Sequence, residues 1–329
     1  MKRSLIFFLP LISTLFLTFA SCRQKYFYTS GETWGTSYHI VYSSGRDLQD
    51  SIVAELARID SIFSIFNAES EICAINANRR TTASADFARV FAHALHAWRA
   101  SGGAFDPTIA PVAELWGFGV WGGDEVPDST VLATALATVG MGDCSIDAQR
   151  NIDKKSPDTR FDFSALAKGY GVDCVAALLK RNGCKNYMVE IGGEVAVEGN
   201  NPQAKPWRIQ IDGPNSGVAG HNALMVVEMG PAPQAIASSG NYRNYRVDSC
   251  GNIYGHTINP ATGRPVQTAT LAASIIGSTC VEADALATAC MVLAPDSATA
   301  MLGREGVEGI LVVAEADSVR LMTTPGFPR

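Results

Sequence analysis

Apolar residues along this chain repeat in two rhythms. Between residues 47 and 63 they fall at Ile52, Leu56, Ile59 and Phe63, near the helical period, and residues 86–101 repeat that pattern up to Gly102-Gly103. Residues 128–139, 165–182 (closed by Gly183) and the Ala-rich 282–293 predict three further helices. Strands are predicted at 36–42, where β-branched and aromatic residues crowd, at 186–197, interrupted by Gly192-Gly193, and at 207–212, where inward and outward positions alternate. Residues 224–229, 234–238, 270–276 and 310–314 complete the strand set, and 145–163 is polar but strand-like. Strands come in runs with helices between them and no strict βαβ alternation, so the expected class is α+β. No internal repeat and no Pro/Ser-rich linker divides the chain.

The first residues follow neither rhythm. Lys2 and Arg3 precede an almost wholly apolar run, 5–19, that ends in Phe19-Ala20-Ser21-Cys22. The run is short for a spanning helix and stops at small residues, as a signal peptide does. Small residues directly before a cysteine resemble a bacterial lipoprotein cleavage site with Cys22 as the lipidated residue, although Phe19 stands where Leu is usual. An ordinary signal peptide or an uncleaved anchor fits the same run. The expected organisation is a lipoprotein signal peptide at 1–21, a tether at 22–31 and one domain at 32–329, anchored to a membrane on the periplasmic face of a bacterial envelope.

Composition narrows the function. Hydrophobic residues make up 47% of the 329, enough for a sizeable core. A net charge of −6 with no basic run disfavours nucleic acid as a partner. Of the eight cysteines, seven remain besides Cys22, an odd set without a C-x-x-C pair, so no zinc site is expected from them. One disulfide is compatible with an oxidising compartment, but the sequence does not choose its partners, and most of these thiols read as small buried hydrophobes. No G-x-G-x-x-G opens a helix after the first strand, and Walker A, G-x-S-x-G and H-E-x-x-H are all missing.

Four groups of residues could carry chemistry. Asp284 and Thr288, at i and i+4 of a predicted helix, share a face and offer hard oxygen donors suited to Mg²⁺; a solvated helix face would look the same. Asp162 precedes a helix start with Ser164 placed as a cap, and Lys168 falls in the first turn, where a cation opposes the helix dipole and suggests an anionic ligand; a surface lysine is the plain alternative. His256 sits in the Gly/Pro-punctuated loop 255–265, where a histidine can take a proton near neutral pH or simply bond the backbone. Gly102-Gly103, Ala104-Phe105-Asp106 and Gly192-Gly193-Glu194 could bring amides to a phosphate, and Trp34, Phe66 and Tyr170 could stack on a flat ring; taken singly each suits a core. His93 and His96 lie on the helix at 86–101, where packing or surface roles are the ordinary ones.

In order along the chain stand WGTSYHI from Trp34, SIFNAESEI from Ser64, GGAFDPTIAPVAELWGFG from Gly102, FDFSALAKGYGVD from Phe161, NYMVEIGGEV from Asn186, AIASSGNYRNY from Ala235, GHTINPATGRPV from Gly255 and EADALATA from Glu282. The ordered set resembles the ApbE-like FAD:protein FMN transferases, formerly described as thiamine-biosynthesis lipoproteins. The resemblance implies an α+β fold of mixed, largely antiparallel sheets packed with helices, with FAD in a central cleft and Mg²⁺ at its pyrophosphate. It implies a metal held by Asp284, Thr288 and the Ala165 carbonyl, and an FAD pocket including Trp34, Phe66, Ala104, Phe105, Asp106, Asp162, Lys168 and Ile258. Trp34 stands where the family often has Met, and Phe66 where it often has Tyr. His256, assisted by Asp284, would be the base; Asn259 replaces the more usual Asp beside it. The implied acceptor is a threonine of a membrane redox subunit, Nqr- or Rnf-like. A Mg²⁺-dependent FAD pyrophosphatase giving FMN and AMP, or a non-catalytic FAD-binding lipoprotein, would use the same residues.

Overall fold

The structure is a computed structural model and describes residues 25–119, 126–214, 223–241, 245–247, 253–316 and 318–328. Cys22, Cys250 and the expected signal peptide lie outside the described residues. A hairpin of β1 (Tyr26–Thr33) and β2 (Thr36–Ser43) leads into α1 (Gln49–Phe63), α2 (Glu71–Asn76), α3 (Ala85–Ala100), α4 (Ala110–Leu115) and α5 (Ser129–Leu136). The small hairpin β3 (Ser145–Ile146) and β4 (Ile152–Asp153) precedes the long α6 (Ser164–Arg181). Then come β5 (Tyr187–Ile191), β6 (Glu194–Glu198), β7 (Trp207–Asp212), β8 (Ala223–Met229) and β9 (Gln234–Gly240). Two short pairs follow: β10 (Tyr245–Val247) with β11 (Ile253–Gly255), and β12 (Ile258–Asn259) with β13 (Arg264–Pro265). The chain closes with β14 (Thr270–Gly277), α7 (Cys280–Val292), α8 (Pro295–Glu305), β15 (Glu308–Glu315) and β16 (Ser318–Thr323).

Eight strands form one sheet in the order β1-β2-β5-β6-β9-β14-β15-β16, and each neighbouring pair is antiparallel. Because side chains alternate across a strand, the sheet feeds two cores. Ala235, Ala237, Val189 and Leu311 face the helices, while Ile236, Val195, Val197 and Ile310 face the β7–β8 hairpin with Trp207 and Ile209. A third, smaller core joins α4 and α5 to the loop after β11 through Val112, Trp116, Leu132 and Ile258.

The expected tether is shorter than read: from Tyr26 its residues are β1, paired with β2 along its whole length. An edge strand buries little, Tyr28 being 68% exposed, so it lacks a clear apolar alternation. The six-residue α2 and α4 are too short to show a helical period. Helix α8 buries only Ala298, Met301 and Leu302, and β16 is a second exposed edge. Among the described cysteines all six are free thiols, and Cys144, Cys184, Cys280 and Cys290 are buried, as small hydrophobes would be.

Two glycines set how closely α6 packs. A Cβ on Gly169 would lie 2.4 Å from the Cys280 carbonyl oxygen at the start of α7, and one on Gly171 would lie 2.2 Å from the Trp34 ring. Only a bare backbone admits both approaches.

Candidate functional site

Helix α7 is almost wholly buried, so its alanines are core and its polar residues are placed by the fold. Asp284 is 2% exposed, which rules out the solvated face. Its Oδ2 accepts the Gly169 N–H at 3.1 Å, an amide whose partner in a regular helix is the Ala165 carbonyl. Its Oδ1 lies 3.9 Å from Lys168 Nζ. One turn on, the half-buried Thr288 hydroxyl meets Ser239 Oγ of β9 at 3.2 Å. The close α6–α7 crossing thus brings Lys168 and Gly169 to Asp284, with Ala165 one turn back along α6 and Thr288 one turn on along α7.

The first-turn position of Lys168 fits an anionic ligand or a plain surface lysine; the fold pairs it with buried carboxylates. Lys168 hydrogen-bonds Glu194, a side chain 2% exposed just after the Gly192-Gly193 turn of the β5–β6 hairpin. In the sequence Glu194 stands out only as part of the Gly192-Gly193-Glu194 turn, although a carboxylate opening an otherwise apolar strand is a signal of its own. Burial disfavours the Lys168 cation, but Asp284 and Glu194 outweigh it and keep the ammonium charged. Burial also pushes both acids up, Glu194 to about 8, with Lys168 opposing the shift. Among the described residues Glu194 Oε2 has no hydrogen-bond partner. Two buried acids face one ammonium, so ionising both would leave a negative charge uncompensated, and the upward shifts express that cost. With the Thr288 hydroxyl nearby, the donors are hard oxygens, a set that fits Mg²⁺.

The start of α6 joins this cluster to a cleft of about 270 Å³, lined in part by Ile65, Cys73, Asn76, Phe118, Arg160 and Asp162. Ser164 is not the cap: it is the first, exposed, helical residue, Phe163 is the N-cap residue, and Asp162 Oδ1 accepts the Ser164 N–H at 2.8 Å just before the helix. The Asp162 N–H donates to the Pro107 carbonyl at 2.7 Å, and Asn76 makes two 2.8 Å bonds to the Phe161 backbone. Arg160 and Glu114 pair through two bonds, 2.6 and 3.1 Å, on the wall.

His256 follows β11 and is half-buried, with its ring edge-on to Phe118 of the cleft at 6.4 Å. Trp116 Nε1–H holds its loop by bonding the Gly263 carbonyl at 2.7 Å, a role the sequence did not suggest. Asn259 turns the loop, its Oδ1 accepting the Ala261 N–H at 2.9 Å. Ile258 is 6% exposed and belongs to the small core.

The remaining expected pocket residues divide. Trp34, half-buried in a left-handed turn at φ 52°, lies on Gly171 with Nε1 on the Leu56 carbonyl at 3.3 Å. Phe66 is 75% exposed, beside the cleft residue Ile65. Phe105 is 3% exposed, and Asp106 spends both oxygens on Thr108 and the Met141 N–H, so both side chains are turned inward. Tyr170 is a core ring bonded to Asp86.

Known proteins are similar in sequence and fold. The chain is 34% identical to an FAD:protein FMN transferase of Haemophilus influenzae over 314 residues, covering 90% of each, and 32% identical to that of Vibrio cholerae, covering 94% of this chain and 95% of the relative. The solved flavin transferase ApbE from Vibrio cholerae superposes with a TM-score of 0.83 at 32% identity, covering 92% of this chain and 98% of that one. The apo flavinyl transferase ApbE of Pseudomonas stutzeri gives 0.80 at 32% identity, covering 92% and 95%. The ApbE family profile matches residues 34–311, which includes every element of the cluster and the cleft, and the chain belongs to the ApbE family.

Proposed function

We propose that this chain is an FAD:protein FMN transferase that moves the FMN half of FAD onto a threonine hydroxyl of a membrane flavoprotein subunit and releases AMP. The observation that carries this reading is the start of α6. The chain leads from Asp162 on the cleft to Ala165 and Lys168, where two buried acids, Asp284 and Glu194, face one ammonium, with Thr288 one turn along α7. Asp284, Thr288 and the Ala165 carbonyl would hold Mg²⁺, and donation of the Gly169 N–H to Asp284 supports a carbonyl available for that purpose. When bound, the ion neutralises diphosphate oxygens and charge developing on the leaving phosphate.

The chain's own residues supply position and a base. The cleft takes the flavin, with Phe66, Trp34 and Phe118 as ring contacts. The acceptor threonine Oγ forms a bond to the FMN phosphorus as the bond to the AMP oxygen breaks. His256 takes the threonine proton, and Lys168 holds Asp284 and Glu194 in place. The threonine belongs to the partner, since an enzyme that consumed its own hydroxyl would turn over once. Nqr- or Rnf-like membrane subunits are the acceptors expected, and a lipid on Cys22 at the periplasmic face would hold the enzyme close to them. Among the described residues no helix is long and apolar enough to cross a membrane. Cys22→Ala should move the protein out of the membrane fraction; retention there would overturn the lipid anchor.

The test combines the enzyme, FAD, Mg²⁺ and an acceptor domain, reading in-gel flavin fluorescence and AMP. Label on the acceptor with equimolar AMP is expected, and an acceptor Thr→Ala variant should stay dark. AMP formed at the same rate without acceptor would identify a hydrolase instead. His256→Ala should slow transfer by about 10²–10⁴-fold with FAD affinity retained, because a base acts in the transition state. If affinity falls with the rate, His256 is a binding residue.

A further inference from the structure

Three helices bring a second set of ligating groups together outside this site. His96 of α3, Glu282 of α7 and Glu305 of α8 place one ligand atom each within 4.8 Å of one another. Both carboxylates converge on the same imidazole nitrogen: Nε2 is 2.8 Å from Glu305 Oε2 and 3.9 Å from Glu282 Oε1. The two glutamates are mostly covered, at 17% and 25% side-chain exposure, whereas His96 is open at 54%. Among the described residues no lysine or arginine pairs with either glutamate, so even a protonated His96 leaves an excess negative charge. Like charges this close repel, and the repulsion grows with partial burial. Glu282 is two residues before Asp284, about 200° around the helix, so it leaves α7 from the opposite face.

We propose that His96, Glu282 and Glu305 form a binding site for a divalent transition-metal ion, with Zn²⁺ as the best-suited ion, that clamps α3, α7 and α8 together. One imidazole nitrogen and two carboxylate oxygens form a three-ligand set that Zn²⁺ accepts with water in the fourth position. The nitrogen donor sets the site apart from the all-oxygen cluster around Asp284 and favours a transition metal over Mg²⁺. The ion supplies the positive charge that the glutamates lack and ties the N-terminal half of the helix layer to the helix that carries Asp284 and Thr288.

The test is calorimetric titration of Zn²⁺ into the full chain, metal-stripped, free of affinity-tag histidines and held in excess Mg²⁺ to fill the oxygen site. One equivalent of Zn²⁺ should bind and raise Tm. Asp284→Asn should keep that equivalent, whereas His96→Gln and Glu305→Gln should each weaken it by more than about 100-fold, beyond what loss of an orienting neighbour causes. Folding of each variant is read from its Tm without Zn²⁺. Absence of a stoichiometric Zn²⁺ equivalent in the wild type, or binding unchanged in folded His96→Gln and Glu305→Gln, overturns the site; loss of Zn²⁺ in Asp284→Asn alone assigns the ion to the oxygen cluster and overturns it equally.

Discussion

The residue that decides most in this molecule is Asp284, because its carboxylate is buried where, among the described residues, Lys168 and the Gly169 N–H compensate it. Replacing it with Ala removes one of two acids and leaves Lys168 with Glu194, a balanced pair, so the fold should survive on a helix that keeps good helix formers. Transfer should fall by about 10²-fold or more, and added Mg²⁺ should not restore it. Thr288→Ala, which removes a neutral donor, should cost less and be partly rescued by higher Mg²⁺. AMP release against Mg²⁺ concentration checks both; full activity of Asp284→Ala in chelator would remove Asp284 from the metal site. The spacing of Asp284 and Thr288 was legible as a shared helix face, but that Asp284 on it is buried rather than solvated was decided by the fold. Phe105, Asp106 and Ile258 show the converse: their motifs suggested ligand contact, and the fold turns their side chains inward.

At the scale of elements, the α6–α7 crossing builds the cluster, and Gly169 permits it. A methyl at Gly169 would press on backbone, the Cys280 carbonyl at 2.4 Å, which cannot rotate away. Gly169→Ala should therefore cost about 1–3 kcal/mol and also weaken Mg²⁺ dependence of transfer, since the Gly169 N–H orients Asp284. Gly171→Ala meets the Trp34 ring instead, which can shift, so its effect should fall on flavin affinity more than on stability. Melting curves and FAD titrations of the two variants separate these outcomes. The helices themselves were readable from their period, and the observed α1, α3, α6 and α7 lie within two residues of the expected spans. The short α2 and α4 were not, although their residues line the cleft.

The whole molecule is tied across its helix layer by a charge network on the side chains of α1, α3 and α6. Asp86 bonds Arg58, Arg89 and Tyr170. Burial pushes its pKa up, but the bonds from Tyr170 and Arg58 outweigh burial and hold it below the usual carboxylate range. A depressed acid stabilises the fold above the unfolded value, about pH 4, and that contribution is lost as pH falls through the folded pKa. Asp86→Asn should cost about 2 kcal/mol near neutrality, and denaturant titrations should show the gap from wild type narrowing toward pH 3; a gap constant with pH would contradict the network. The sequence by itself determined the α+β class, most strands and helices, and the family, because period, turn residues and ordered motifs are local properties of the chain. Only the tertiary structure decided the single antiparallel eight-stranded order, the strand nature of residues 26–31, the partnership of Lys168 with Glu194, and the convergence of His96 with Glu282 and Glu305. Each of these joins residues remote in the chain, and whether a charge is buried or solvated depends on neighbours that sequence spacing does not specify.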